Sequence, residues 1–163
     1  MKIRLLTIDD LSSYKSLRLE ALKQVPEAFV SSYEEEVNYS QKDWEVGFAK
    51  SSIFGAFIEG LLVGSAGFYR LNTQKTKHRG VLFAVYVKPT ARGQGMASAL
   101  VDVIIAHAQL YVSQIHLACV TTNLTAVKLY EKHGFKIYGT EPRALKIGDA
   151  FFDEYLMVLN LES

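Results

Sequence analysis

The chain has a single cysteine, Cys119, among 163 residues. An internal disulfide is impossible, and a reducing compartment is the expected setting. Proline is scarce as well, with three residues, and no linker, repeat or low-complexity segment breaks the chain. An excess of one charge sign is also lacking. Basic and acidic residues number 18 and 17, for a net charge of +1. That balance gives no electrostatic case for binding nucleic acid or a membrane surface. No apolar run is long enough to span a bilayer, and Met1-Lys2-Ile3-Arg4-Leu5 does not open a signal peptide. A cytoplasmic protein is expected. Hydrophobic residues, at 49%, suffice for a layered core, and the expectation is one domain over residues 1–163.

Several catalytic signatures are missing too. No Gly-x-Ser-x-Gly appears, and no Ser/His/Asp arrangement for a hydrolase is evident. His107, His116 and His133 have no metal-ligand spacing with cysteines or carboxylates, so no metal is expected. The Walker pattern is absent, and a dinucleotide loop would belong at the first strand.

What the chain does have is Val85-Tyr86-Val87-Lys88-Pro89-Thr90-Ala91-Arg92-Gly93-Gln94-Gly95-Met96-Ala97-Ser98-Ala99-Leu100. It reads as an apolar strand, a proline stop, a glycine turn and the start of a helix. Gly93 and Gly95 let backbone N–H groups approach an anion without side chains in the way. The helix adds unpaired N–H groups and the positive end of its dipole. Arg92 adds a fixed charge. Such a turn suits a pyrophosphate.

Around it the pattern predicts strands at Ile3 to Ile8, Ser52 to Ile58, Leu62 to Leu71, Gly80 to Lys88, Gln114 to Val120, Phe135 to Gly139 and Ala150 to Leu161. Helices are predicted from Asp9 or Asp10 to Gln24, from Ser40 to Phe48, from Gly93 to Val112 and from Asn123 to His133. Phe29 to Asn38 reads as a loop. Gly60 sits in a tight hairpin turn, and Gly134 suits a helix end. The result is an α/β or α+β domain, a mixed sheet with helices on both faces.

A second segment is Asn123-Leu124-Thr125-Ala126-Val127-Lys128-Leu129-Tyr130-Glu131-Lys132-His133-Gly134-Phe135. Together the two segments resemble the GNAT superfamily of acyl-CoA-dependent N-acyltransferases. The first matches its Arg-Gly-x-Gly-x-Ala pyrophosphate motif, the second its Asn-x-x-Ala-x-x-Leu-Tyr-x-Lys-x-Gly-Phe element. Both lie between Val81 and Gly139. The resemblance implies a mostly antiparallel central sheet of about seven strands, acetyl-CoA as co-substrate, and a primary amine as acceptor, on a small molecule or a protein. It also implies a bulge that splays the central strand, and a homodimer through the C-terminal strands. A non-catalytic acyl-CoA sensor on the same fold is the alternative.

Carried over residue by residue, the cofactor set is Val85, Tyr86, Val87, Arg92, Gly93, Gln94, Gly95, Met96, Ala97, Ser98, Asn123, Ala126 and Tyr130. Val85 to Val87 would pair with the peptide-like pantetheine arm, and backbone N–H groups near Val87 would hold the oxyanion. Tyr130 takes the general-acid place, because a phenol can donate to a leaving thiolate. Asn123 caps its helix and can also reach the pantetheine. Thr90 stands where the family often has Gln or Arg. The family's strand carboxylate is missing from Lys77-His78-Arg79-Gly80, which leaves His78 as candidate base. Phe29, Tyr33, Glu34 and Tyr69 are the candidate acceptor-site residues. The run Glu34-Glu35-Glu36 can hold a cationic amine, act as a base through water, or be a solvated loop.

Overall fold

The computed structural model describes residues 1–161. Seven strands form one sheet: β1 (Lys2–Leu5), β2 (Ser52–Ile58), β3 (Leu61–Arg70), β4 (Arg79–Val87), β5 (Gln114–Val120), β6 (Lys136–Ile147) and β7 (Ala150–Asn160). Their order is β1-β2-β3-β4-β5-β7-β6, and only the β4–β5 pair is parallel. The helices are α1 (Leu11–Gln24), α2 (Tyr33–Glu36), α3 (Gln41–Ala49), α4 (Met96–Ala108) and α5 (Leu124–Lys132).

Alternation along the strands divides the core in two. Ile53, Leu62 and Tyr86 pack with Leu11, Tyr14, Leu17, Ala21 and Leu22 of α1. Phe54, Ala66 and Val87 pack on the other face with Met96, Leu100, Val101 and Ile104 of α4, and with Val127 and Tyr130 of α5. Period two on the strands and a single apolar stripe on each helix account for the three layers.

Local signals place the ends of the elements. Ser40 accepts from Asp43 N and caps α3, and Asn123 accepts from Ala126 N and caps α5. Glu59 and Gly60, both at positive φ, turn the chain from β2 into β3. Elsewhere the elements depart from the sequence pattern. The first strand stops at Leu5, because Ile8–Asp10 turns into the 3-10 geometry that starts α1. α4 begins only at Met96, since Gly93 and Gly95 take left-handed φ of +80° and +77°, and it ends at Ala108. β6 runs to Ile147 instead of stopping near Gly139. Pro142 is tolerated there because β6 is an edge strand, and a register shift with Arg143 at φ +50° absorbs it.

β4 positions the site. Opposite β3 its register slips between Ser65↔Tyr86 and Gly67↔Phe83. Ala84 and Val85 together face Ala66, and Ala84 sits at φ +55°. That extra residue is a β-bulge, and a bulge bends its strand. Opposite β5, pairing covers only Arg79, Gly80 and Val81. β5 itself stays paired to β7 over all of Gln114 to Val120. The two central strands therefore part beyond Val81.

Candidate active site

Where β4 and β5 part, a narrow slot of about 70 Å3 opens. Leu82, Phe83, Ala84 and Val85 line one wall and Leu117 to Val120 the other, with Asn123, Ala126 and Tyr130 contributed by α5. The β5-facing edge of β4 from Leu82 to Val87 has no strand partner. It presents the backbone groups that a peptide-like arm can pair with.

That edge runs into the glycine turn. Pro89–Ala91 forms one 3-10 turn, and α4 starts at Met96 with Gly95 as N-cap. The N–H groups of Gly93, Gln94, Gly95, Met96, Ala97 and Ser98 find no acceptor among the described residues. A Cβ built on Gly93 or Gly95 meets nothing within 4 Å, so the space over the turn is open. Six free donors at the positive end of a 13-residue helix make an anion cradle. The residues present thus fit a pyrophosphate.

The side chains around the cradle are held from behind. Arg92 Nε donates to Val87 O at 3.0 Å, with the guanidinium carbon 5.8 Å from the Tyr86 ring centre. Tyr86 is buried, and its hydroxyl donates to Glu20 at 2.7 Å. Met96 is a core residue, so only its backbone faces the turn. Ser98 Oγ lies 3.2 Å from His133 Nε2, which is also 3.0 Å from Asp102 Oδ1. His133 Nδ1 is 2.9 Å from Leu129 O. His133 therefore ties the first turns of α4 to the end of α5.

In the slot, Tyr130 is buried against Phe135, at 5.9 Å between ring centres. Burial, with Cys119 beside it, raises its pKa, so the phenol keeps its proton at neutral pH. Burial and then Glu154 push the Cys119 thiol up to about 11. The slot also holds two carboxylates, Glu27 and Glu154. Burial, and then Glu141, raises the pKa of Glu154. No sequence signal marked Glu154. It reaches the slot because β7 lies beside β5 with Glu154 opposite Val120.

The candidate base and acceptor residues divide. His78 is exposed in the turn before β4, its carbonyl accepting from Ser113 N and Gln114 N, and it does not line the slot. Phe29, Tyr33 and Glu34 share an open groove of about 870 Å3 between the α1–α2 segment and the β6–β7 turn. Tyr69 is not among them. It packs on Phe83 at 5.5 Å, and Phe83 lines the slot. Glu36 is no solvated loop residue: it is 4% exposed and paired to Arg18 at 2.8 Å.

The family model described as the acetyltransferase (GNAT) family matches residues 18–135. The chain belongs to the GNAT acetyltransferase family. It is an acyltransferase with acetyl-CoA as its co-substrate. Similar solved structures agree in fold over nearly the whole chain. A GNAT-family acetyltransferase from Streptococcus pneumoniae is 24% identical, with a TM-score of 0.86 and 99% of both chains covered. A ribosomal-protein-alanine N-acetyltransferase from Brucella melitensis is 22% identical, with a TM-score of 0.80 and 99% of this chain and 100% of its own covered. A putative acetyltransferase from Salmonella typhimurium, solved with its cofactor acetyl-CoA, is 17% identical, with a TM-score of 0.82 and 100% and 95% covered. No curated protein sequence matches the chain. No helix among the described residues is long and apolar enough to cross a membrane.

Proposed function

We propose that this acetyltransferase moves the acetyl group of acetyl-CoA directly to a primary amine. The observation that carries the reading is continuity: the unpaired edge of β4 runs from the slot that holds Tyr130 into the six free N–H groups of the glycine turn. In this reading the turn holds the pyrophosphate, aided by the Nη groups of Arg92. Val85 to Val87 pair with the pantetheine, and Asn123 and Ala126 border it.

The roles in the slot follow from charge. An alkyl amine arrives as ammonium, with a pKa of about 10. Glu154, whose burial favours the protonated form, is suited to take that proton through water. The freed nitrogen attacks the thioester carbon, the carbon–sulfur bond breaks, and the thiolate takes the phenolic proton of Tyr130, while the second proton that the nitrogen sheds on becoming an amide returns through water to the phenolate. Cys119 supports direct transfer over an acyl-enzyme. With its thiol near 11, only about one molecule in ten thousand carries the nucleophilic thiolate at pH 7.

The test is thiol release from acetyl-CoA over a panel of amines, with binding followed by calorimetry. Tyr130→Phe is expected to lower kcat by about 100-fold or more, the usual worth of a positioned acid, and to leave the affinity for CoA within about twofold. Unchanged turnover removes Tyr130 from the reaction. Binding without thiol release from any amine turns the reading to an acyl-CoA sensor.

A further inference from the structure

Phe83 walls a second recess besides the slot. On the face covered by α1, a cavity of about 160 Å3 lies among α1, α2, α3 and Phe83. Its lining is aromatic, with Tyr14, Tyr39, Trp44, Phe48 and Phe83. Two of its lining residues carry buried donors without an acceptor, Arg18 Nη1 and Trp44 Nε1. Trp44 is 6% exposed. The rest of the Arg18 guanidinium is already used: Nε and Nη2 donate to Glu36 at 3.0 and 2.8 Å.

Buried N–H groups are nearly always paired, because an unpaired one forfeits its hydration. Two of them at one cavity indicate a missing acceptor. The charges narrow its chemistry. Arg18 and Glu36 neutralise each other, and Asp43 adds a carboxylate to the lining. With that pair neutral, a carboxylate guest would meet the Asp43 carboxylate, and an ammonium guest would leave both donors without a lone pair. A neutral carboxamide offers carbonyl lone pairs to such donors without adding charge. The volume is that of about five waters, enough for a carboxamide on a short apolar stem.

We infer that this cavity receives the far end of the acceptor, and that this end is a neutral carboxamide. The amine end of the molecule then passes Phe83 into the slot. That second statement rests on the acetyltransferase reading, whereas occupancy of the cavity does not.

Trp44 is the one tryptophan in the chain, so its emission reports this cavity independently of any reaction. The wild-type protein is titrated with γ-aminobutyramide, γ-aminobutyrate, putrescine and butylamine, and the same four are run in the thiol-release assay. The expected result is a saturable emission change for the amide at about tenfold lower concentration than for the others, with the same order in kcat/KM. Gly47→Leu is the blocking variant. It adds bulk to a lining residue of α3, where a new Cβ meets nothing within 4 Å, so no packed contact is lost. It is expected to abolish the amide response. No emission change with the amide, an equal response to all four, or a preference for the acid or the diamine overturns the proposal. Thiol release without an emission change keeps the transferase and discards the cavity. An emission change without thiol release upholds the cavity and counts against the transfer reading.

Discussion

Gly95→Ala separates backbone strain from anion binding, provided Gly60→Ala is made beside it. The two glycines share nearly the same conformation, φ +77° and +80°, and in both places a new Cβ meets nothing within 4 Å. An L-residue held in the left-handed region costs about 1–2 kcal/mol. Each variant should therefore lose that much stability, seen as a Tm lower by about 2–4 °C per kcal/mol in a chain of this size. Their ligand chemistry differs. Gly60 turns a hairpin, whereas Gly95 lies inside the run of free N–H groups from Gly93 to Ser98. A methyl group at Gly95 holds a pyrophosphate away from at least one of those donors. A hydrogen bond to a charged group is worth about 1.5–3 kcal/mol, which predicts CoA binding about 10- to 150-fold weaker. Calorimetric titration with CoA reads the affinity, and thermal unfolding reads the stability. Gly60→Ala should lose stability alone. Wild-type affinity in Gly95→Ala, or an equal loss in both variants, refutes the cradle.

Three further outcomes are expected. Glu154→Gln should lower kcat/KM by about 100-fold and remove the acidic limb of the pH profile. It should also be more stable than wild type at pH 7 by urea titration: the raised pKa means that the folded state binds this proton more tightly than the unfolded chain, so wild-type stability falls as pH rises through the ordinary carboxylate range to the raised value. Asp10→Asn should destabilise at pH 7, because the bond from Arg4 lowers the Asp10 pKa to about 2; that contribution is complete above the ordinary value of 3.8 and fades as pH falls through about 2, so the two denaturant midpoints should converge in acid. Ala84→Gly should raise the stability read by urea titration by up to about 1 kcal/mol, since relief of the left-handed strain exceeds the entropic cost of glycine, and Ala84→Val should lower it.

The parts of the molecule legible in sequence are those set by neighbours in the chain. The glycine turn, the Asn123 cap and the Glu59-Gly60 turn each follow from a residue type at one position, and each has its expected local geometry. The parts that were not legible depend on partners far away. The pattern ends this strand at Gly139, whereas β6 runs on through Pro142 because it is an edge, where a missing N–H costs no ladder bond. Glu36 reads as one of three solvated acids, yet its partner Arg18 lies a helix away. Glu154 carries no motif at all, and the slot acquires it through β5–β7 pairing. Tyr69 lies outside the groove because the strand geometry sends it to Phe83, which lines the slot.

The bulge and the histidine clamp make the slot and the cradle one device. β5 cannot follow β4 as it bends, because seven residues of β5 are laddered to β7. The extra residue at Ala84 therefore opens a gap instead of shifting the whole sheet. α5 brings Tyr130 to that gap, and the end of α5 meets α4 through His133, with Nδ1 donating to the Leu129 carbonyl and Nε2 3.2 Å from Ser98 Oγ. Ser98 is also the last of the free N–H donors in the turn. In the proposed reading, the helix that opens at the phosphate turn and the helix that carries the phenol are thus joined through His133. On the proposed reading, the His133 contact between α4 and α5 and the core that both helices share hold the two ends of the site in place.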